Sequence, residues 1–582
     1  MQSRRKSSSP ARRERASSLA SVTSSPHAAS RRRAFLLALA LALVVFGIYS
    51  RSLGFQFILD DHRFTSDPRI QEAGHIGEYF ANYVWAQFAG GPPSFYRPVF
   101  LLWARLNFML AGLSSWGWHL LSIAKHVVVA ALLGLLVWRL LRDWRAAFAA
   151  AILFALHPAQ TESVSWVTVP DPLMTGCLLG ALVLYLRFSN LADPEPAPEE
   201  KKSRRKSAAR VPGNSLLGRT AAAGAYLAAL LAKETAIVFP AVIFAVALVR
   251  LPARAAPPKR ETAGETKFGA RLRTAIRHIV PFACATALYL LLRYHALGGK
   301  IGAATQHLPW RTVVLSWPAM LWFYVKAMLW PVRSYSFADP TVVETFSVPG
   351  VLFPLLGVVP FAAIVLTACF WAWRKAQLES RPEPVAGIRA ALVIGTLLLI
   401  LPLLPTLNLN ALNPGDFLHG RYTYLPLAGL MLLIATWWRS LDKFRVMLLA
   451  AGVLAVTFAA FTFSQETEWK DDATVFATAH QLAPHNEPVA RHLADTVVAA
   501  ALALQDQRRC GEAIGMFDRV IHDYPDNWFA WAGIGVCYVQ LNDFPKAEES
   551  LRRAAEISHD SRVIQQWQEL RAHMGLSNSA TN

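Results

Sequence analysis

Cysteine is scarce in this chain, with five in 582 residues. None stands at metal-ligand spacing, which excludes a disulfide scaffold and a zinc knuckle. Cys177, Cys284 and Cys369 lie in apolar runs and read as small core residues. Cys510 and Cys537 fall in a more polar carboxyl-terminal part, where they could pair if that part is exported. Acidic residues are also few, 39 Asp and Glu against 58 Lys and Arg, for a formal net charge of +19. Such a balance raises nucleic-acid binding, but the basic residues form no face. They gather at the ends of apolar runs: Arg4-Arg5-Lys6, Arg31-Arg32-Arg33, Arg139 to Arg145, Lys201 to Lys206, Arg250 to Arg277, Arg374-Lys375 and Arg439 to Arg445. The positive-inside bias of membrane proteins explains that placement without any polyanion, so nucleic acid is not an expected partner.

What is abundant is apolar surface. Hydrophobic residues make up 54% of the chain, with 19 Trp and 32 Phe. That exceeds what a soluble globule of this size carries and fits a multi-span membrane protein with a soluble part attached. Residues 1–33, rich in Ser and Arg, read as a disordered cytoplasmic tail. The run that follows shows no small-residue cleavage pattern and is taken as a retained first span, about 34 to 53. With the tail inside, basic clusters thread the rest. Spans are expected at about 117–141, a short one to 156, then 172–188, 216–232, 235–250, 279–295, 349–373, 388–405, 421–438 and 446–463. A loop after the first span is expected to carry an interfacial amphipathic helix around Ile76 to Phe88. Residues 311–330 break the alternation of sides and are expected to be re-entrant or interfacial. The expectation is an all-α polytopic membrane domain of about eleven spans (34–464), an exported domain at 465–575 and a disordered tail at 576–582.

The exported domain reads as a tetratricopeptide-repeat solenoid. Trp531-x2-Ile534-Gly535-x2-Tyr538, followed by Ala547, Leu551 and Ala554, has the helix-turn-helix spacing of that repeat. Ala513, Phe517 and Pro525 fit the same register one repeat earlier, and Phe476, Ala479 and Pro484 suggest a degenerate third unit. So few repeats are expected to pack on the membrane domain or on a protein partner.

Chemistry is expected at the outer ends of the spans. Asp60 and Asp61 are adjacent carboxylates at the mouth of the first span, where mutual repulsion and a low-dielectric neighbour make them costly to keep. Several cations, Arg97, Lys233, Arg293, Lys326 and Arg421, lie on the side where the bias disfavours them. As a set they suit a phosphate on a lipid carrier. His157 and Glu162 end an apolar stretch, the first a candidate to neutralise a leaving phosphate and the second to bind sugar hydroxyls or orient a cation. Lys233-Glu234 reads either as part of the site or as an internal ion pair. His419, Arg421 and Tyr422 open a span beside Asn408, Asn410 and Asn413. Transfer of a sugar from a lipid phosphate needs a general base, which Asp60 or Asp61 could supply, and cations for the departing phosphate.

The ordered motifs Phe57-Ile58-Leu59-Asp60-Asp61, Tyr96-Arg97-Pro98-Val99, Arg105-Leu106-Asn107, His119-Leu120-Leu121, His157-Pro158-x-x-Thr161-Glu162, Lys233-Glu234 and Arg421-Tyr422-x-Tyr424-Leu425-Pro426, with the repeats behind them, resemble the transmembrane and tetratricopeptide-repeat O-mannosyltransferases and their bacterial relatives. The resemblance spans about 34 to 575. It implies the glycosyltransferase C fold, a polyprenyl-phosphate sugar donor (dolichol-linked in eukaryotes), a protein or glycan acceptor, and the first-loop acid as the catalytic position. The chain departs from the family in its few repeats. Its Ala- and Arg-heavy composition favours a bacterial inner membrane with undecaprenyl-phosphate as carrier, or the endoplasmic reticulum membrane if eukaryotic. No cofactor is called for with certainty on this reading, and a divalent metal stays open but is not favoured by Asp60-Asp61 without a third acidic ligand. Two other classes compete: a membrane-anchored repeat scaffold without activity, and a transporter of a lipid-linked or anionic solute.

Overall fold

The computed structural model describes residues 26–88, 95–188, 215–250, 267–300, 306–332, 342–378, 382–412, 418–441 and 444–575. The basic clusters at Arg4 to Lys6 and Lys201 to Lys206, the Asn413-Pro414-Gly415 turn and the tail at 576–582 lie outside these residues. The described chain contains helices and no strand, as the apolar runs and repeat spacing lead one to expect.

The membrane domain runs α1 (Pro26–Tyr49), three short helices α2 (Asp61–Ser66), α3 (Pro68–Gln71) and α4 (Ile76–Ala81), then α5 (Pro98–Ala111), α6 (Ser115–Leu141), α7 (Trp144–Ala155), α8 (Thr161–Ser165) and α9 (Asp171–Phe188). It continues through α10 (Ser215–Ala232), α11 (Phe239–Arg250), α12 (Lys267–Ala296), α13 (Trp310–Leu329), α14 (Phe353–Leu378), α15 (Pro382–Ile400), α16 (Tyr424–Ser440) and α17 (Phe444–Gln465). Eight helical segments among the described residues are long and apolar enough to cross a bilayer, and four shorter apolar helices accompany them. Burial separates two environments. In 385–407 the most apolar window is 61% buried, whereas in 348–378 and 445–469 it is 17% and 11% buried. The latter two are apolar on surfaces that face nothing in the protein, as a lipid-facing helix must be. At the bundle centre α15 and α16 meet through glycine: a Cβ on Gly429 would stand 2.6 Å from the Leu399 backbone nitrogen. Backbones that close require a residue with no side chain.

Several expectations need correction. The first helix begins at Pro26, inside the segment assigned to a disordered tail, and α12 begins at Lys267, taking basic residues assigned to a loop. Residues 310–329 form one unbroken helix, so a re-entrant turn is wrong; Pro318 is carried inside it. The amphipathic helix expected to Phe88 stops at Ala81, where Asn82 turns extended. The substantial helix of that loop is instead α5, started by Pro98 at its first turn.

The repeat domain comprises α18 (Asp472–Leu482), α19 (Glu487–Asp506), α20 (Cys510–Asp523), α21 (Trp528–Gln540), α22 (Phe544–Ser558) and α23 (Ser561–His573). Ala513 and Ala547 are fully buried at the fourth residue of α20 and α22, and Ala479 is fully buried nearer the end of α18. Gly533 admits the Phe517 ring, whose Cζ would lie 2.3 Å from a Cβ there. Asn486 and Asn527 cap α19 and α21 through their side chains. With 20 residues against 13, α19 is the longer, which displaces the earliest unit from the strict repeat period. Cys510 and Cys537 are buried free thiols.

Candidate active site

Asp61 is held at both carboxylate oxygens. Its Oδ2 accepts the Ile58 N–H at 3.2 Å, and its Oδ1 accepts from the Thr168 N–H at 3.1 Å and the Thr168 hydroxyl at 2.6 Å. It has no exposed surface. Burial pushes its carboxyl up to about 7 against the opposing effect of these bonds, with the neighbouring Asp60 charge a smaller contribution in the same direction. Asp60 precedes α2 at its N-cap position and is half-buried. Neither pairs with Arg69, which instead grips Asp67 at 2.6 Å.

Thr168 belongs to a buried polar strip, residues 157 to 171, lying between α7 and α9. Glu162 on this strip binds the loop before α16: its Oε1 meets His419 Nδ1 at 3.0 Å, and its Oε2 accepts the Arg421 N–H at 2.9 Å. The Arg421 guanidinium lies 4.5 Å over the Trp166 ring and 3.5 Å from Glu162. At the strip's end Asp171 receives Lys233 Nζ in both oxygens, at 2.6 and 2.7 Å, with each side chain 5% exposed. Lys233 Nζ also stands 4.7 Å over the Tyr422 ring. Arg97 and Glu234 make a forked pair at 2.6 and 3.0 Å. Arg293, bonded to Tyr289, contributes to the field at Glu234. Lys233 feels both Arg97 and Arg421, so these pairs form one continuous polar cluster.

Two expectations change. Lys233 and Glu234 are not partners of each other; each binds a different element, because the chain leaves α10 extended at Lys233 and sends consecutive side chains opposite ways. His157 does not face a phosphate. Its Nδ1 accepts the Ala159 N–H and its Nε2 donates to the Met328 carbonyl at 3.0 Å. Burial pushes the imidazole down to about 4, so it is neutral and architectural.

Sequence reasoning overlooked Asp171, Thr168, Trp166 and Lys125. Asp171, a carboxylate opening an apolar run behind Pro170, could have been found. Lys125 interrupts the apolar α6 and should have been flagged as an intramembrane cation. Its Nζ is buried with no hydrogen-bond partner among the described residues, 5.4 Å from the Trp103 ring and within the fields of Asp61 and Asp171. Along the strip, side-chain atoms of Gln160, Ser163 and Ser165 are likewise buried without such a partner.

Fold and cluster together define a multi-pass helical membrane protein with a polar site where loops meet helix ends, joined to a tetratricopeptide-repeat solenoid. A tetratricopeptide-repeat family model matches residues 498–561. Over 88% of its length the chain is 24% identical to human protein O-mannosyl-transferase TMTC3, covering 54% of it. It is 26% identical to protein O-mannosyl-transferase Tmtc1 of Drosophila melanogaster, over 76% of this chain and 57% of that one. Over most of its length the chain is thus similar to the transmembrane and tetratricopeptide-repeat O-mannosyltransferases, the family whose ordered motifs it resembles. It spans about half the length of the curated relatives it matches. Among solved structures it is similar to the archaeal oligosaccharyltransferase AglB of Archaeoglobus fulgidus, determined with an inhibitory peptide and a dolichol-phosphate. That likeness has a TM-score of 0.42 and 13% identity, covering 80% of this chain and 60% of that one.

Proposed function

We propose that the protein is a glycosyltransferase of the C type that moves a hexose, mannose by analogy with its relatives, from a polyprenyl phosphate to a hydroxyl of a protein or glycan. The observation that carries this reading is the convergence of the acidic loop on the cationic cluster. Asp61 ties its turn to Thr168, three residues before the Asp171 that holds Lys233.

Both oxygens of Asp61 already accept hydrogen bonds in a fully buried setting. Its role is to anchor the turn, and half-buried Asp60 beside it is the general base. The acceptor oxygen attacks the anomeric carbon of the donor, its proton passing to Asp60. The bond from that carbon to the phosphate oxygen breaks, and its electron pair leaves with the polyprenyl phosphate. Arg421 and Arg97, each with about 15% of the side chain exposed, receive that charge, and Lys233 and Arg293 support it at longer range. Glu162, His419 and Tyr422 hold Arg421 in place. On this reading the donor is the only small molecule required, the amino terminus is cytoplasmic, and site and repeats face the other side of a bacterial inner or endoplasmic reticulum membrane. The repeats would take up a protein.

The test is transfer from radiolabelled polyprenyl-phosphate hexose in membranes bearing the native chain, Asp60→Asn or Asp61→Asn. Labelling abolished in Asp60→Asn at normal protein level is expected. Equal labelling in all three removes the assigned base, and none even with the native chain favours the scaffold reading.

A further inference from the structure

The turn that carries the acids is held from outside the membrane domain. Between α17 and α18 the chain crosses beneath the first loop, and the Gln56 N–H donates to the Lys470 carbonyl at 2.9 Å. Asp472, the first residue of the repeat domain's α18, then takes two bonds from the acidic turn. Its Oδ1 accepts the Leu59 N–H at 2.8 Å, and its Oδ2 pairs with His62 Nε2 at 2.8 Å. Leu59 immediately precedes Asp60, and His62 immediately follows Asp61, so one carboxylate brackets both acids. Leu59 has φ of +52°, a left-handed conformation that a branched side chain adopts only under constraint.

An acidic residue in a first helical turn has an ordinary explanation, favourable interaction with the helix dipole. Here the capping is done by its neighbour: Asp471 accepts the Thr474 N–H at 2.9 Å and the Thr474 hydroxyl at 2.7 Å. Asp472 is turned to the loop instead. The same junction reaches the cationic half of the site. Trp469 stacks on Trp166 at 6.3 Å between centroids and 19° between planes, and Trp166 is the ring beneath Arg421. Phe55, Ile58, Val169 and Val475 complete the apolar contact around those two rings.

We propose that Asp472 is a positioning residue of the site: the repeat domain, through this carboxylate, holds the Leu59–Asp61 turn in the conformation that presents Asp60. The active site is then complete only with α18 docked, so whatever binds the repeats and tilts α18 acts directly on the acid. The link to catalysis rests on the reading of Asp60 as base; the mechanical link does not.

The test uses the full chain in detergent with two readouts, hydrogen exchange of the segment 57–63 and the kinetics of hexose transfer. Replacing Asp472 by Ala should raise loop exchange about tenfold and lower kcat about tenfold, with KM for the donor unchanged, since an ordering bond is lost while the donor's contacts remain. Asp472→Asn keeps an oxygen for the Leu59 N–H and should restore most of both. Leu59→Gly in the Asp472→Ala background should recover part of kcat, because glycine holds positive φ without the constraint; a general loss of folding would not respond to it. If Asp472→Ala does not accumulate, Asp472→Glu keeps the helix charge but moves the oxygens, and should show both effects. Native-like loop exchange in Asp472→Ala, or in Asp472→Glu where that variant takes its place, overturns the proposal, and raised exchange with unchanged kcat overturns the positioning role. A native chain without transfer activity tells against the glycosyltransferase reading and with it the link to catalysis, while loop exchange still decides the clamp.

Discussion

Lys233 and Asp171 offer a way to separate architecture from chemistry at this site. Each side chain is 5% exposed, and the amine contacts both carboxylate oxygens at 2.6 and 2.7 Å. Replacing Lys233 by Met leaves a buried carboxylate without its partner, at a cost of about 3–5 kcal/mol. Lys125, in whose field Asp171 lies, places the expected loss toward the lower end. Replacing Asp171 by Leu strands the amine over the Tyr422 ring, which returns about 1 kcal/mol by cation–π attraction. The double variant Lys233→Met, Asp171→Leu removes both charges and their desolvation, and should be close to native in stability or above it. The coupling between the two sites, the double cost less the two single costs, is then about 5–7 kcal/mol in magnitude, with the double variant more stable than either single one. Thermal unfolding of the detergent-solubilised chain, followed by tryptophan fluorescence, reads the order of stabilities. Sugar transfer, measured on the same samples, should remain low in the double variant because its share of the positive field at the leaving phosphate is gone. A double variant no more stable than the worse single one would refute the argument that each of these charges is held chiefly by the other. Full transfer by a stable double variant would make the pair purely structural.

Arg97→Lys keeps the charge but loses the planar fork on Glu234, and should raise KM for the donor about tenfold with the protein still folded. Asp61, at about 7 in the folded chain against an ordinary 3.8, binds more protons folded than unfolded between those values. Native stability therefore falls as pH rises through that window, and the cost is complete above it. The stability of Asp61→Asn relative to the native chain should grow from pH 4 to 8 by up to about 4 kcal/mol, whatever constant offset the lost bonds add; melting curves across pH check this, and a flat difference contradicts it. In the repeats, Gly533→Val pushes a side chain into the Phe517 ring and should cost about 1–3 kcal/mol, seen as faster proteolysis of 487–558 in the full chain.

What could be read from the sequence was whatever local pattern determines. The apolar runs located the long helices, and the spacing of Ala479, Ala513 and Ala547 placed three buried positions of the solenoid. The candidate site residues were picked by type and by expected side of the membrane, and the structure brings Arg97, Lys233, Glu234, Glu162, His419, Arg421 and Tyr422 into one cluster. What could not be read was who binds whom. Lys233-Glu234 looks like a pair when written out, yet adjacent residues on an extended backbone point apart, so each found its partner across the fold, 62 and 137 positions away. Asp471-Asp472 looks redundant on the page, and geometry divides it into a helix cap and a clamp on a loop some 410 residues earlier. Asp60-Asp61 divides in the same manner, one side chain fully buried and anchored, the other half-exposed. In all three, neighbouring charged residues find their main contacts away from each other because the backbone turns between them. A sequence doublet at a membrane surface is therefore better read as two separate contacts than as one site, and its two members should be replaced singly before they are replaced together.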